Sequence, residues 1–464
     1  MMTFFYFNRK DKFNKKSILN EENNKSKLEN KETDDYEINP YRNNEYIINS
    51  GVNANKNTSK KIILKAVIVL ILLTIFIYVC NITFMPDTII MMQGETLNIN
   101  TLFGVRIEQN SNGETVEASS AINKNKVSEV GKMDLKVNLF GSLPVKDVTV
   151  NVIPKTKVIP VGKSIGMKLY TDGVLVVGMS EIEGQKPYEN CGIEEGDRII
   201  EIDNSKISNT NELINTVNKS NGKTVEIKYI SDEDNVLTTS ITPVKTGNDF
   251  KIGLWVRDAA AGVGTLTFYT PEDNKCVALG HGITDIDTAE LIDIASGELV
   301  SANILSIVKG EKGNPGEVKG TIENGYKIGN VYKNTAFGVY GTLDSKTMLN
   351  VSESDAVEVA TRDEIKTGKA TILCELETGK RKEYEIEIER VFVNNNSDNK
   401  SMLIKVTDKE LLEKTGGIIQ GMSGAPILQN GKLIGAVTHV LVNEPTEGYA
   451  VFGDILVKQL NSVN

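Results

Sequence analysis

The chain has 464 residues and a net charge of −10, with 62 Asp and Glu against 52 Lys and Arg. This length predicts about three domains, and an acidic chain without a basic stripe argues against nucleic acid as its main ligand. No CxxC pair or Cys/His cluster occurs, so we expect neither a metal site nor a cofactor. The four scattered cysteines are Cys80, Cys191, Cys276 and Cys374.

The first 85 residues predict a cytosolic tail followed by one membrane helix. Residues 1–60 are rich in Asn, Lys and Glu, and we expect them to be disordered because ordering them costs more entropy than their burial recovers. Residues 61–85 contain a 19-residue apolar run, Ala66 to Phe84, which is long enough to cross a bilayer. A cleavable signal peptide is the alternative interpretation.

The charges that flank this run predict its orientation. Lys60, Lys61 and Lys65 precede it, whereas Pro86 and Asp87 follow it. Lysine and arginine stay on the cytosolic side of a span, so the N-terminus is predicted to be cytosolic and the later domains extracytoplasmic.

Residues 86–158 alternate short apolar runs, such as LKVNLFG and VKDVTVNVIP, with Asn/Gly/Ser-rich connections. This alternation predicts a small β domain. Nothing in it points to chemistry.

Residues 159–246 carry three phrases in the order SIGMKL, DGVLVVGM and CGIEEGDRIIEIDNSKI. Together they resemble a PDZ domain, a mixed α/β module. The resemblance implies a loop whose backbone amides bind the carboxylate of a peptide C-terminus, while the peptide adds as a strand to the sheet edge. That loop falls on Ser164, Ile165, Gly166 and Met167.

Residues 247–464 read as short strands separated by glycine-bounded turns, which favours a pair of β-barrels over an α/β hydrolase. No GxSxG elbow is present. The segment KGEKGNPGEVKG lacks the ending of a phosphate-binding loop, and we expect it to be a mobile surface loop, with a border of the substrate cleft as the alternative.

Ser423 lies in the segment GMSGAP, which resembles GDSGGP of chymotrypsin-like peptidases. Flanking glycines let the backbone turn sharply and point its amides inward, as an oxyanion hole requires. We therefore predict Ser423 as a nucleophile, with the amides of Gly421 and Ser423 as the oxyanion hole. Met422 stands where those enzymes carry an aspartate, which excludes activation by pairing that carboxylate with a new N-terminus.

The chain has two histidines that could serve as its base. His281, in GHGITD, follows an apolar strand, so its ring can project from the strand end into a cleft. His439 lies within an apolar strand pattern, and we interpret it as a packed structural histidine.

The sequence alone does not identify the carboxylate that would complete a catalytic triad. Asp258, Asp285, Asp287 and Asp408 all lie between or near the two motifs, and any carboxylate can orient an imidazole. Asp408 is our choice, although Thr407 and Glu410 form a capping-box pattern in which Asp408 would only favour a helix dipole.

Four further segments carry a wider resemblance: GLWVRDAAAGVGTLTFYTP, ALGHGITDIDT, KGEKGNPGEVKG and GIIQGMSGAPI. From the membrane span onward the chain resembles the SpoIVB peptidase family, PDZ-containing serine peptidases of endospore-forming bacteria. The resemblance places the family's catalytic histidine, acid and serine on His281, Asp408 and Ser423. The long N-terminal tail is not required by the family.

The same resemblance implies a role in sporulation signalling. A family member is secreted across the forespore membrane and cleaves a membrane-associated regulator, so that a late mother-cell sigma-factor precursor is processed. The expected protein is therefore a membrane-anchored or released serine endopeptidase. The implied fold is mainly β: one transmembrane helix, a small β domain, a PDZ domain and a chymotrypsin-like double β-barrel. The alternative function is a catalytically inactive, membrane-tethered PDZ adaptor.

Overall fold

The computed structural model describes residues 56–462 except 84, 96–104, 112–113, 118–128, 140–142, 232, 345, 347–348 and 394–397. Most of the predicted tail therefore lies outside the described residues. The chain divides into two compact units, and the apolar helix and the domains that follow it are treated separately below.

Helix α1 spans Lys56–Thr83. Its segment Ile63–Cys80 has a mean hydropathy of 2.9, and none of that segment is buried. Apolar side chains all round a helix of this length match a membrane span rather than a surface helix with one apolar face. The helix is consistent with the predicted single-pass anchor.

The small β domain is a five-stranded sheet in the order β1-β5-β4-β2-β3. Its first strand is parallel to β5, and the other neighbours are antiparallel. Alternate residues of β5 are buried, as expected for a sheet with one covered face. The strands are β1 Thr88–Met92, β2 Val105–Ser111, β3 Glu114–Glu117, β4 Gly131–Leu139 and β5 Leu143–Ile153.

A closed ring of six strands, the first barrel, has the order β6-β13-β14-β17-β16-β15. The pairing of β15 with β6 closes it. Its apolar interior includes Ile165, Met167, Leu169, Leu266 and Leu299. The strands are β6 Lys157–Met179, β13 Leu254–Tyr269, β14 Lys275–Ala278, β15 Ile294–Val308, β16 Glu317–Thr335 and β17 Gly338–Leu343.

The PDZ domain is inserted between the first two strands of this barrel. Its sheet runs β10-β9-β7-β6, with β8 paired to β7, and it uses the second half of β6. The first half of β13 pairs with that same part of β6. The elements are β7 Arg198–Ile202, β8 Ser205–Lys206, helix α2 Thr210–Lys219, β9 Val225–Ile230 and β10 Val236–Ile241, followed by the hairpin β11 Val244–Thr246 and β12 Asp249–Lys251.

Helix α2 packs on the PDZ sheet through Leu213 and Val217, its two buried residues. It begins after Asn209, whose side chain accepts a hydrogen bond from the Glu212 amide at 2.9 Å. Because β6 starts at Lys157 and serves both domains, the predicted boundary at residue 159 falls inside a shared strand.

The second barrel is also closed, in the order β19-β20-β21-β24-β23-β22. Its core continues into the small β domain through Ile90, Met92 and Ile153. Its elements are β19 Gly368–Glu377, β20 Lys380–Val391, β21 Met402–Val406, helix α3 Lys409–Thr415, β22 Pro426–Gln429, β23 Lys432–Leu441, β24 Glu444–Phe452 and helix α4 Gly453–Asn461. A 3-10 turn, Glu353–Asp355, and β18 Val357–Glu358 link the barrels. The predicted double-barrel fold with a PDZ module is confirmed.

Candidate active site

Ser423 lies where the two barrels meet. It occupies the turn before β22, and the first barrel holds this turn from the other side. The Thr265 amide donates to the Ser423 carbonyl at 3.2 Å, and the Thr265 hydroxyl donates to the Gly421 carbonyl at 2.6 Å. Gly424, with φ of +93°, packs so closely here that an added Cβ would lie 2.5 Å from the Leu279 nitrogen. The glycines that flank the serine are thus required by backbone conformation and by space.

The serine hydroxyl itself donates a hydrogen bond to the Thr438 carbonyl at 2.9 Å. Thr438 lies on β23 beyond Ala436, where the pairing of this strand with β22 ends. Within the described part of the chain, no backbone carbonyl accepts a hydrogen bond from the amide of Gly421 or Ser423. These two amides are the pair predicted from the sequence for the oxyanion hole.

His281 reaches the same junction from the first barrel. It follows β14 through Leu279 and Gly280, both with positive φ, which turn the chain away from the barrel. The residue is only 6% exposed. Its Nδ1 lies 2.8 Å from the Gly282 carbonyl oxygen. Burial lowers the pKa of His281 to about 4, so the ring is neutral at physiological pH and able to accept a proton.

His439 lies next to His281, with 5.6 Å between the two ring centroids. It follows Thr438 on β23, so its backbone neighbour is the residue that holds the serine hydroxyl. Burial, and then the charges of His281 and Lys400, lower the pKa of His439 to about 3. The structure therefore brings both histidines close to the serine turn, rather than His281 alone.

Asp408 is the N-cap of helix α3. Its carboxylate accepts hydrogen bonds from the Leu411 amide at 2.9 Å and the Glu385 amide at 3.4 Å. This is the helix-capping role that the sequence left open as the alternative.

The other three candidate carboxylates are also engaged away from the histidine rings. Asp258 accepts from the Thr210 amide at 2.7 Å. Arg257 forms ion pairs with Asp285 and with Asp287. The structure thus gives each of the four aspartates a partner other than an imidazole.

The predicted peptide-binding loop, Ser164 to Met167, is part of the first barrel. One edge pairs with β13 from Gly262 to Thr265, and the other edge pairs with β15. Ile165 and Met167 are fully buried. A strand with both edges hydrogen-bonded has no amides to offer a carboxylate and no edge for a peptide to join.

A strand edge that fits the peptide role better lies at Leu254–Arg257 of β13. This part of β13 pairs with β6, whereas its pairing with β14 starts only at Leu266. Helix α2 runs alongside, since the Thr210 amide bonds Asp258 and the Phe250 amide donates to the Asn218 side chain at 2.7 Å. Gly253, with φ of +77°, starts this edge. The phrase Ile-Gly-Leu-Trp before an apolar strand was the available sequence signal.

The segment KGEKGNPGEVKG is anchored to the second barrel rather than free. The Gly310 amide donates to the Thr415 carbonyl and the Gly313 amide to the Val442 carbonyl, both at 2.8 Å. The Gln420 amide donates to the Gly316 carbonyl, also at 2.8 Å. The tip of the β15–β16 hairpin therefore braces the segment that leads into the serine turn.

Comparison with known proteins gives two family matches. Residues 248–457 match the SpoIVB peptidase S55 family, and residues 164–242 match the PDZ domain family. No curated protein sequence matches the chain.

Several solved structures resemble parts of the chain. The PDZ domain of the SdrC-like protein (Lmo2051) from Listeria monocytogenes is 26% identical and covers 18% of this chain and 87% of its own, with a TM-score of 0.16. The active form of the Rv3671c protease from M. tuberculosis is 12% identical, covers 55% of this chain and 88% of its own, and has a TM-score of 0.26. The HtrA-type protease AlgW with decapeptide is 13% identical, covers 47% and 55%, and has a TM-score of 0.27.

The family match over residues 248–457 confirms the resemblance predicted from the sequence motifs. It includes both GHGITD and GMSGAP, the segments that the fold brings together. The match of residues 248–457 to the SpoIVB peptidase S55 family and of residues 164–242 to the PDZ domain family makes the chain a PDZ-containing serine peptidase.

Proposed function

We propose that the protein is a membrane-anchored serine endopeptidase that signals between compartments during sporulation. It cleaves a membrane-associated regulator, and a late mother-cell sigma-factor precursor is then processed. The observation that supports catalysis is the junction of the barrels, where the Ser423 turn, the Leu279–His281 segment and β23 meet. The substrate class follows the family match alone.

The proposed chemistry is acyl transfer. Ser423 attacks the scissile carbonyl while His281 accepts its proton, and the amides of Gly421 and Ser423 stabilise the oxyanion. The edge of β23 beyond Val437, where its backbone bonds to the end of the serine turn, is where a substrate strand adds. A substrate amide at this edge donates to the Thr438 carbonyl in place of the Ser423 hydroxyl. The serine hydroxyl is then free to attack.

The location proposed for this activity follows from helix α1. Lysines on its N-terminal side favour a cytosolic N-terminus, which places the PDZ domain and both barrels outside the cytosol. The forespore membrane and the intermembrane space of the sporangium are the compartments that the family match suggests. A partner's C-terminal peptide would bind at the Leu254–Arg257 edge of β13.

The test is intact-mass analysis of the full-length chain in detergent after exposure to a fluorophosphonate. We expect one adduct in the wild type and none in Ser423→Ala or His281→Ala, with the unfolding midpoint of Ser423→Ala unchanged. Peptide cleavage should fall by a factor on the order of 10⁶ in Ser423→Ala, because the attacking oxygen is lost. His439→Gln should be much milder. Cleavage that survives in Ser423→Ala contradicts the proposal.

A wild type without an adduct calls for the same measurement in the presence of a peptide with a free C-terminal carboxylate. Trp255, the only tryptophan, is 63% exposed on the proposed peptide edge, so its fluorescence reports binding in the same sample. Binding that restores the adduct indicates a latent enzyme. Binding without an adduct supports the PDZ adaptor instead, and an amidated peptide is the control.

A further inference from the structure

We propose that Asn334 is the positioning residue for His281 and that it acts through the peptide unit between Gly282 and Ile283. This inference rests on the proposed catalytic role of His281. It assigns the orienting task of a triad's third member to an asparagine side chain and one backbone amide, whereas Asp408 keeps the capping role in which the structure places it.

The first step is the hydrogen bond between the imidazole and the Gly282 carbonyl, 2.8 Å from Nδ1. A carbonyl oxygen only accepts, so Nδ1 must carry the proton. The other ring nitrogen, Nε2, is then the one that can accept a proton. A serine peptidase requires this tautomer of its base, and a carboxylate usually selects it.

The second step is the contact of Asn334 with the same peptide unit. The Ile283 amide donates to Asn334 Oδ1 at 2.9 Å. The Gly282 carbonyl and the Ile283 N–H belong to one planar trans peptide and point in opposite directions. Fixing the N–H end therefore fixes the direction of the carbonyl that receives the His281 proton. Hydrogen bonds in such a series also polarise one another, which strengthens the acceptor.

The third step is that Asn334 itself is held in place. It lies near the end of β16, and its Nδ2 donates to the carbonyls of Ile283 and Ile292, both at 2.8 Å. The amide oxygen and both amide N–H groups are thus used, and a primary amide combines one carbonyl acceptor with two N–H donors. An aspartate in this position would face two carbonyl oxygens with a negative charge.

The surroundings of Gly282 support the same arrangement. A Cβ added to Gly282 would lie 2.7 Å from the Thr335 carbonyl oxygen, so only glycine lets this peptide pack against the β16–β17 connection. Further along the loop, Arg257 holds Asp285, whose side chain is 1% exposed. The segment after His281 is therefore tied to β16 at one end and to Arg257 of β13 at the other.

The test compares four variants of the full-length chain in detergent. Asn334→Ala and Asn334→Asp should lower kcat by about 10²–10⁴-fold with KM within a few-fold of wild type, because the base loses its tautomer but the substrate edge is unchanged. Asn330→Ala is the matched control, since Asn330 lies on the same strand and bonds the exposed Asp344 instead. Asp408→Asn keeps a strong helix cap while deleting the carboxylate.

The two controls should stay within a few-fold of wild-type kcat. The proposal is overturned if Asn334→Ala matches Asn330→Ala, or if Asp408→Asn loses as much activity as either Asn334 variant.

A second readout does not depend on activity, so it separates this proposal from the proposed function. The chain has only two histidines, and His439→Gln leaves one, so ¹⁵N-histidine NMR assigns the His281 ring directly. We expect a fixed Nδ1–H tautomer in the His439→Gln background and a mixture after adding Asn334→Asp. Adding Asp408→Asn should change nothing. An Nε2–H ring in the His439→Gln chain, or a tautomer that responds to Asp408→Asn and not to Asn334→Asp, overturns the assignment.

Discussion

The two barrels are joined to their neighbouring domains in different ways. The first barrel shares strands with the PDZ domain, since β6 and β13 each run from one sheet into the other. The second barrel is contiguous in sequence and shares a hydrophobic core with the small β domain, through Ile90, Met92 and Ile153. The first barrel is therefore joined to the PDZ domain by continuous strands, and the second barrel is joined to the small β domain by a shared hydrophobic core, the packed joint. Substitutions should affect the stability of these two joints differently.

The largest effect is expected at the packed joint. Arg362 bonds the Asp454 carboxylate through Nε at 2.5 Å, and their side chains are only 9% and 2% exposed. Arg362→Ala leaves a buried carboxylate without its partner, which should lower the free energy of unfolding by about 3–5 kcal/mol. Urea denaturation measures this loss. Arg390→Ala, at an exposed arginine beside Phe392, should cost about 1 kcal/mol or less. Equal losses in both variants would contradict the prediction.

A smaller effect is expected where the first barrel passes into the PDZ domain. Gly173 separates the barrel pairs of β6 from its PDZ pairs, has φ of +97°, and would place a Cβ 2.6 Å from the Ile199 carbonyl oxygen. Gly173→Ala should therefore cost about 2–3 kcal/mol, from backbone strain and from crowding. Gly247 has φ of +62° with nothing within 4 Å, so Gly247→Ala should cost only about 1–2 kcal/mol. Denaturation curves that do not separate the two variants would refute the crowding argument.

The last effect is a pH dependence of stability at the packed joint. Burial, with Asp454 and Asp363 nearby, raises the pKa of Glu95 from 4.5 to about 7. Between these values the folded chain binds a proton that the unfolded chain has released, so this contribution to stability is complete below about pH 4.5 and is lost as the pH rises through 7. Glu95→Gln should remove that loss, measured as the difference from wild type at pH 5 and pH 8. Exposed Glu413→Gln should follow wild type, and a constant difference for Glu95→Gln would contradict the pKa.

The sequence predicted the architecture and the serine turn well because their signals are local. Gly421 and Gly424 around Ser423, and a histidine that follows an apolar strand through one glycine, can be recognised without knowing the fold. The number of short, turn-bounded strands likewise indicated barrels. These features depend on residues that are neighbours in the chain.

The peptide edge and Asn334 depend on distant partners, and sequence periodicity does not report them. SIGM followed by an apolar strand fits a PDZ loop and a barrel strand equally well, since which edges are paired is decided by β13 and β15. Asn334 comes just before a turn, where asparagine is common for local reasons. Its role arises from Ile283, 51 residues earlier. Hydrogen bonds between residues so far apart in the sequence can be identified only once the closed barrel is known.

The strands common to the first barrel and the PDZ domain limit how such a protein can be rearranged in evolution or engineering. A cassette cut at residues 164 and 242, where the PDZ match begins and ends, would carry away most of β6 and leave the barrel open along two seams. Substitutions in the shared strands therefore affect both domains together. A new recognition module can be acquired here only by changing the residues of the PDZ sheet while β6 and β13 stay in the barrel.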